Sequence, residues 1–169
     1  MNIDIINTLS GALSTDILII GALFILFVVY GLRYGKSGSV SLMLSLYVGI
    51  LAFISFPYRE KIALYGSSEF QVALLYILAF CVGVFVAHYI VRRFVFAEYP
   101  MSRVVQIAQA TLLAAGSTGL LFAFAYHALP VSTLYDFDAV IDSLFSSQYF
   151  FWWLVAPLAV LALVSRRRT

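Results

Sequence analysis

Charged residues are scarce in this sequence, and the scarcity excludes a water-soluble globular domain. Only 11% of its 169 residues are charged, whereas 63% are hydrophobic. A soluble domain carries about 25% charged residues, because polar groups must cover the surface that faces water. This chain has too few polar groups to cover such a surface. Its high hydrophobic content also excludes intrinsic disorder, since disordered chains are poor in hydrophobic residues. Lipid is therefore the expected solvent for most of the chain.

The sequence also has a single cysteine, a small net charge and no recognisable catalytic motif. The single cysteine, Cys81, allows neither an internal disulfide nor a cysteine-based zinc cluster. A formal net charge of +2 is too small and too dispersed for nucleic-acid binding. No apolar stretch holds a phosphate-binding loop, an H-E-x-x-H motif, a nucleophile with its base, or paired aspartates. We therefore predict a non-enzymatic protein with no catalytic residue, no cofactor and no metal ion.

Long uncharged stretches are abundant, and they predict membrane helices. A helix needs about 20 mostly apolar residues to cross the hydrocarbon layer. The stretches near that length are residues 17–30, 39–56, 70–91, 104–129 and 150–164. They predict an all-α, polytopic transmembrane helix bundle with five spans. Its parts are a four-span membrane core in residues 1–129, an external acidic amphipathic segment in 130–149, and a C-terminal transmembrane helix with a cytoplasmic arginine tail in 150–169.

The distribution of basic residues predicts the orientation of these spans. Lysine and arginine in short loops stay on the cytoplasmic side of a membrane. With the N-terminus outside, only Arg59 and Lys61 fall on the external side, and the predicted topology is N-out/C-in. A four-span alternative would leave the terminal arginines outside. The N-terminal segment lacks the basic region of a cleaved signal peptide, so we expect it to be retained, as an interfacial helix or a frayed tail.

Small residues spaced four apart mark the faces on which membrane helices pack closely. A Gly-x-x-x-Gly pair closes the first span, and three longer stripes follow in the second, third and fourth spans. Whether the stripes meet within one chain or between copies stays open, and they would serve a homo-oligomer equally well. The predicted helix-packing residues are Gly31, Gly35, Ser41, Ser45, Gly49, Ala79, Gly83, Ala87, Thr111, Ala115, Gly119 and Ala123.

The segment between the fourth and fifth spans has the pattern of a short amphipathic helix. Its apolar residues recur every three to four positions, and its aspartates lie on another face. A calcium loop is not expected, because Val140 stands where a ligand belongs and the required glycine and glutamate are missing. We expect this helix to rest on the outer leaflet.

Polar residues within the spans are few. His88 lies one helical turn from Arg92, and His127 continues the small-residue stripe of the fourth span by one more turn. His127 is therefore the better candidate for a buried polar role. Together with Gln106 and Gln109, it could line a polar path, although hydrogen bonds between helices explain the glutamines more simply.

The turn between the first two spans, GLRYGKSGSVSLMLSLYVG, resembles the corresponding stretch of the colicin V production protein (CvpA-like) family of bacterial inner-membrane proteins. The residues that fit the family pattern are Gly31, Arg33, Gly35, Lys36, Ser41, Leu42 and Gly49. The chain departs from the pattern at the start of the fourth span, which reads MSRVVQIAQA, and in having a fifth span. The resemblance implies a multi-pass protein of the bacterial cytoplasmic membrane with an accessory role in toxin export or envelope maintenance. It transfers no catalytic residue.

The sequence is compatible with three functions. The leading hypothesis is a non-enzymatic component that assembles with itself or with other membrane proteins of an export or envelope system. The alternative is a small channel or transporter subunit. An enzyme on lipid-linked substrates comes third, with Arg92, Arg93 and Arg103 binding phosphates, although these arginines are explained as well by topology alone.

Overall fold

A computed structural model describes residues 15–95, 102–128, 137, 139–146 and 148–166, with the backbone alone at residues 15, 165 and 166. Every regular element in these ranges is a helix, which confirms the all-helical prediction. The N-terminal segment, Glu98, Leu134, Asp136, Asp138 and the last two arginines lie outside the described residues. The helices are α1 (Thr15–Ile54), α2 (Arg59–Ala63), α3 (Glu69–Phe94), α4 (Arg103–Ala128), α5 (Ala139–Leu144) and α6 (Phe150–Arg166).

Three of these helices, α1, α3 and α4, are long and apolar enough to cross a bilayer. Helix formation in such stretches follows from the solvent, because lipid offers no partner for backbone N–H and C=O groups. Helix α6 is apolar as well, but its 17 residues make it shorter. The chain is therefore a membrane protein.

Helix α1 is folded back on itself at Gly35, which adopts φ 72° and ψ −171°. Tyr30 and Ser45 both contact the imidazole of His88, at 3.0 and 3.3 Å. A continuous helix would separate two residues fifteen positions apart by about 22 Å. The chain therefore reverses at Gly35, and α1 consists of a first arm, residues 15–34, and a second arm, residues 36–54.

The connection from the second arm to α3 is held by a hydrogen-bonded cap. Ser68 is the N-cap of α3, and its hydroxyl accepts a hydrogen bond from the backbone of Gln71 at 3.3 Å. The Gln71 side chain in turn accepts one from the Ser67 backbone at 2.8 Å. The serine hydroxyl satisfies one backbone donor that the first turn of a helix leaves free, and the glutamine side chain satisfies the donor of the residue before the cap. It fixes the residue at which α3 begins.

Helix α4 lies at the centre of the bundle. Twelve of its 26 residues are buried, against three of 26 in α3. Its Phe124 is fully buried and meets Phe53 of the second arm at 5.5 Å and Phe80 of α3 at 4.5 Å between ring centroids. These three rings join α1, α3 and α4 into one core.

The bundle has two chemically different ends. Arg92, near the end of α3, lies over the ring of Tyr34 beside the Gly35 reversal. Gln106, in the first turns of α4, donates to the carbonyl of Leu32 at 3.3 Å. We call this the basic end, and its cations are Arg33, Lys36, Arg92, Arg93 and Arg103. The opposite end carries the carboxylates Asp16, Glu60, Glu69 and Asp142 together with two cations, Arg59 and Lys61, and we call it the acidic end.

Candidate functional site

Several of the small residues predicted to pack helices meet neighbours within the same chain. A Cβ atom added to Gly31 would lie 2.6 Å from Ser39 Oγ and 3.1 Å from Ala110 Cβ. One added to Gly49 would lie 3.3 Å from Val84 Cα. These distances are shorter than ordinary van der Waals contacts, so the glycines are needed for the helices to approach.

The other predicted packing residues have varied environments. Ser41, Ser45, Ala87, Gly119 and Ala123 are buried. Ala79 and Gly83 of α3 are half-buried, whereas Thr111 and Ala115 of α4 are exposed. Gly35 has no neighbour within 4 Å of an added Cβ and serves as the reversal point instead. The stripes are therefore divided between contacts inside the chain and surfaces that remain open.

An apolar groove of about 550 Å³ lies between the second arm and α3. Small residues form part of its wall, and large apolar side chains from α3 and the connection after the second arm complete it. A Cβ added to Gly83 would have no neighbour within 4 Å, so the groove is open at this point. The lining residues that matter here are Gly49, Ala52, Ala79, Gly83, Phe56 and Leu78.

Helix α3 shows the same openness along its outer side. Leu74, Leu78, Val82 and Phe85 are each more than half exposed, and Phe85 is 73% exposed. In a bilayer such side chains face either lipid or the helix of another protein. The groove and this outer side together form the least covered part of α3.

A polar cluster joins both arms of α1 to α3 around His88. The Tyr30 hydroxyl lies 3.0 Å from Nε2, and Ser45 Oγ lies 3.3 Å from Nδ1. Ser45 also donates to the carbonyl of Ser41 at 2.6 Å. An imidazole protonated on Nδ1 satisfies the whole set, since Tyr30 then donates to Nε2 and Nδ1 donates to Ser45. The cluster holds the reversal of α1 against the last turns of α3.

The structure does not bring the three predicted path residues together. His127 is exposed, and its ring stacks on Phe150 at 4.2 Å. Gln106 is paired with the Leu32 backbone, as described above. Gln109 is 4% exposed, and neither polar atom of its amide has a hydrogen-bond partner. Because Gln109 and His127 are eighteen positions apart on one helix, about 27 Å separates them.

Sequence reasoning missed the polar cluster and the groove as units. It ranked His127 above His88, because only His127 continues a small-residue stripe. The two hydroxyl partners of His88 come from other parts of the chain, and Tyr30 shows no spacing relation to it. The signal for the groove was present in the Ala79 and Gly83 pair, but its second wall is contributed by the second arm.

Comparison with known proteins identifies no relative: no protein-family model, curated protein or solved structure matches the chain. The resemblance to the CvpA-like family therefore stays a prediction.

Proposed function

We propose that this chain is a non-enzymatic integral membrane protein that works by assembly. Its groove receives a transmembrane helix of a second copy or of an export or envelope component. The observation that carries the proposal is the open groove between the second arm and α3, with small residues in its wall. The accessory role in export or envelope maintenance rests on the resemblance of residues 31–49.

The chemistry of the groove favours a helix as its occupant. Within lipid, helices associate through close van der Waals packing, and small residues let two backbones approach. Ala79 and Gly83 provide such an approach on α3, and Ala52 provides it on the second arm. A fluid acyl chain would gain little from this close approach. A helix carrying leucine or phenylalanine side chains would fill the space between the small residues.

The placement of the polar residues favours assembly over a channel or transporter subunit. Of the candidate path residues on α4, Gln106 and Gln109 lie within one helical turn, and about 27 Å separates Gln109 from His127. His127 is stacked on an aromatic ring, and Gln106 is bonded to a backbone carbonyl. A path would need polar groups that succeed one another across the membrane.

Replacing Gly83 by leucine is expected to weaken the complex without disturbing the fold. A Cβ atom at residue 83 meets no neighbour within 4 Å, so the leucine side chain extends into the groove instead of the core. Overpacking at a close contact costs about 1–3 kcal/mol, and we expect about a tenfold loss in association. The measurement is single-molecule photobleaching of a fluorescent fusion in native membranes, with chemical crosslinking to capture partners other than a second copy.

Gly21→Leu is the matched control, because Gly21 is also helical, also has no neighbour within 4 Å, and does not line the groove. Complexes should survive in the control and be depleted in the Gly83 variant. If the Gly83 and Gly21 variants formed the same amount of complex at equal protein levels, the proposed use of the groove would be contradicted.

The assembly proposal includes five spans with the N-terminus outside. Two arms of about 20 residues in α1 match the bilayer thickness, and the five cations at the basic end agree with a cytoplasmic location for that end. Reporter fusions after residues 34, 66, 99, 146 and 169 are expected to report inside, outside, inside, outside and inside. If the fusion after residue 169 reported an external location, α6 would not cross the membrane.

A further inference from the structure

Two arginines from different helices converge on one aromatic ring at the basic end. Arg92 Cζ lies 5.1 Å from the centroid of Tyr34, and Arg33 Cζ lies 6.0 Å from the same centroid. We propose that Arg33 and Arg92 bind the phosphate of an anionic lipid headgroup between them. Guanidinium groups suit this ligand, because their donors match phosphate oxygens in a bidentate geometry.

The surroundings of the two arginines favour an anion. Arg93, Lys36 and Arg103 lie at the same end of the bundle. The four carboxylates in the described ranges lie at the acidic end, about one membrane thickness away. Basic side chains at the ends of membrane helices reach the headgroup layer. A lipid phosphate is therefore the anion present at this depth.

The site is held in place by the polar cluster beneath it. Tyr34 packs on Tyr30 with ring centroids 4.6 Å apart, and the Tyr30 hydroxyl contacts His88. His88 lies one helical turn before Arg92 on α3. The ring that both arginines approach is thus fixed relative to both helices, and a ligand does not have to order it. Such preorganisation lowers the cost of binding.

Topology alone accounts for the number of cations at this end but not for the convergence of two of them. Arg93 shows the difference, although it is the neighbour of Arg92 in sequence. Its Cζ lies 4.8 Å from the centroid of Tyr89, and its Nη2 donates to the Tyr89 hydroxyl at 2.6 Å. Arg93 therefore has the same charge at nearly the same depth but a different aromatic partner, and it provides a matched control.

The test titrates the purified full-length chain in detergent with a short-chain phosphatidylglycerol. Binding to the folded state raises the unfolding temperature by an amount that grows with the logarithm of one plus the ratio of lipid concentration to Kd, so the dependence on lipid concentration gives an apparent Kd. The two tryptophans report unfolding. Short-chain phosphatidylcholine and inorganic phosphate are titrated in parallel. The variants are R92Q, R33Q, their combination, R93Q and R92K, each compared with its own unfolding temperature without lipid.

The expected result is an unfolding temperature that rises with phosphatidylglycerol concentration and does not change with phosphatidylcholine. R92Q and R33Q should each weaken the apparent Kd about five- to tenfold, and R93Q less than about twofold. R92K should give an intermediate loss of affinity, because lysine keeps the positive charge but lacks the bidentate donors of the guanidinium group. The double variant should weaken the apparent Kd by less than the product of the two single fold-changes. This is expected for two groups that hold one phosphate.

Three results would overturn the proposal. Equal losses of phosphatidylglycerol affinity in R92Q and R93Q would mean that the whole basic end attracts the lipid without a specific site. Equal stabilisation by phosphatidylcholine would remove the role of the headgroup charge. Equal stabilisation by inorganic phosphate would identify a free anion as the ligand instead of a lipid. None of these results bears on the groove, so the assembly proposal is tested separately.

Discussion

The variant Gly119→Leu is expected to separate α6 from α4. A Cβ atom added to Gly119 would lie 2.6 Å from Cε3 of Trp153, a distance at which one partner must move. The Trp153 ring has little freedom to do so. Its Nε1 donates to the Leu144 carbonyl at 2.9 Å, and its ring stacks on Phe145 at 4.9 Å. A leucine would therefore break these contacts, and we expect a loss of about 3 kcal/mol in unfolding free energy.

The measurement for Gly119→Leu is thermal unfolding in detergent, followed by tryptophan fluorescence. Both tryptophans, Trp152 and Trp153, lie on α6, so the signal reports the affected helix. Gly21→Leu is the control, because it adds the same side chain where no neighbour lies within 4 Å. An unchanged unfolding temperature and an unchanged emission maximum in Gly119→Leu would show that α6 does not pack at this position.

The variant Gly35→Ala is expected to destabilise the reversal of α1 without any steric clash. A Cβ atom at Gly35 has no neighbour within 4 Å, so packing contributes nothing to the effect. The cost comes from the backbone, because φ 72° with ψ −171° is a conformation that essentially only glycine adopts. We expect the free energy of unfolding to fall by about 1–3 kcal/mol.

Gly21→Ala is the matched control for this effect. Gly21 is also a glycine of α1 without a neighbour within 4 Å, but its φ is not positive. Alanine there should stabilise the helix by about 0.5–1 kcal/mol. Opposite signs for the two alanine variants in a denaturation series would support a reversal at Gly35. A stabilising effect in both would contradict it, because it would mean that residue 35 is helical.

These two glycines illustrate different ways in which one residue type determines a membrane fold. Gly119 is needed for space, since a ring occupies the position of its missing side chain. Gly35 is needed for a backbone conformation and has ample space around it. Gly83 has neither requirement inside the chain. It is therefore the glycine whose role we place in the groove.

The helices themselves could be read from the sequence with little error. The apolar stretches at residues 70–91, 104–129 and 150–164 correspond to α3, α4 and α6 within a few residues at each end. Lipid leaves the backbone no alternative to helix formation, so the length of an uncharged run is sufficient to locate each helix. The first two stretches fall in the two arms of α1. The reversal between them occurs at one residue instead of in a longer loop.

The inward face of each helix could not be read in the same way. Ala115 and Gly119 belong to one stripe, yet Ala115 is exposed and Gly119 is buried against Trp153. In a soluble protein the inward face is apolar and the outward face is polar. In a bilayer both faces are apolar, and this difference disappears. Small residues then show that a close contact is available, without showing whether the chain itself uses it.

The two histidines also separate what the sequence determines from what only the tertiary structure decides. Composition and run length determined by themselves that this is a helical membrane protein, because they specify the solvent and lipid dictates the secondary structure. Only the tertiary structure decided that His88 is bonded to two hydroxyls, whereas His127 is exposed and stacks on the ring of Phe150. The same is true of the groove and of the two arginines on Tyr34. Each of these depends on helices that are distant in sequence and adjacent in space, and local periodicity does not encode that adjacency.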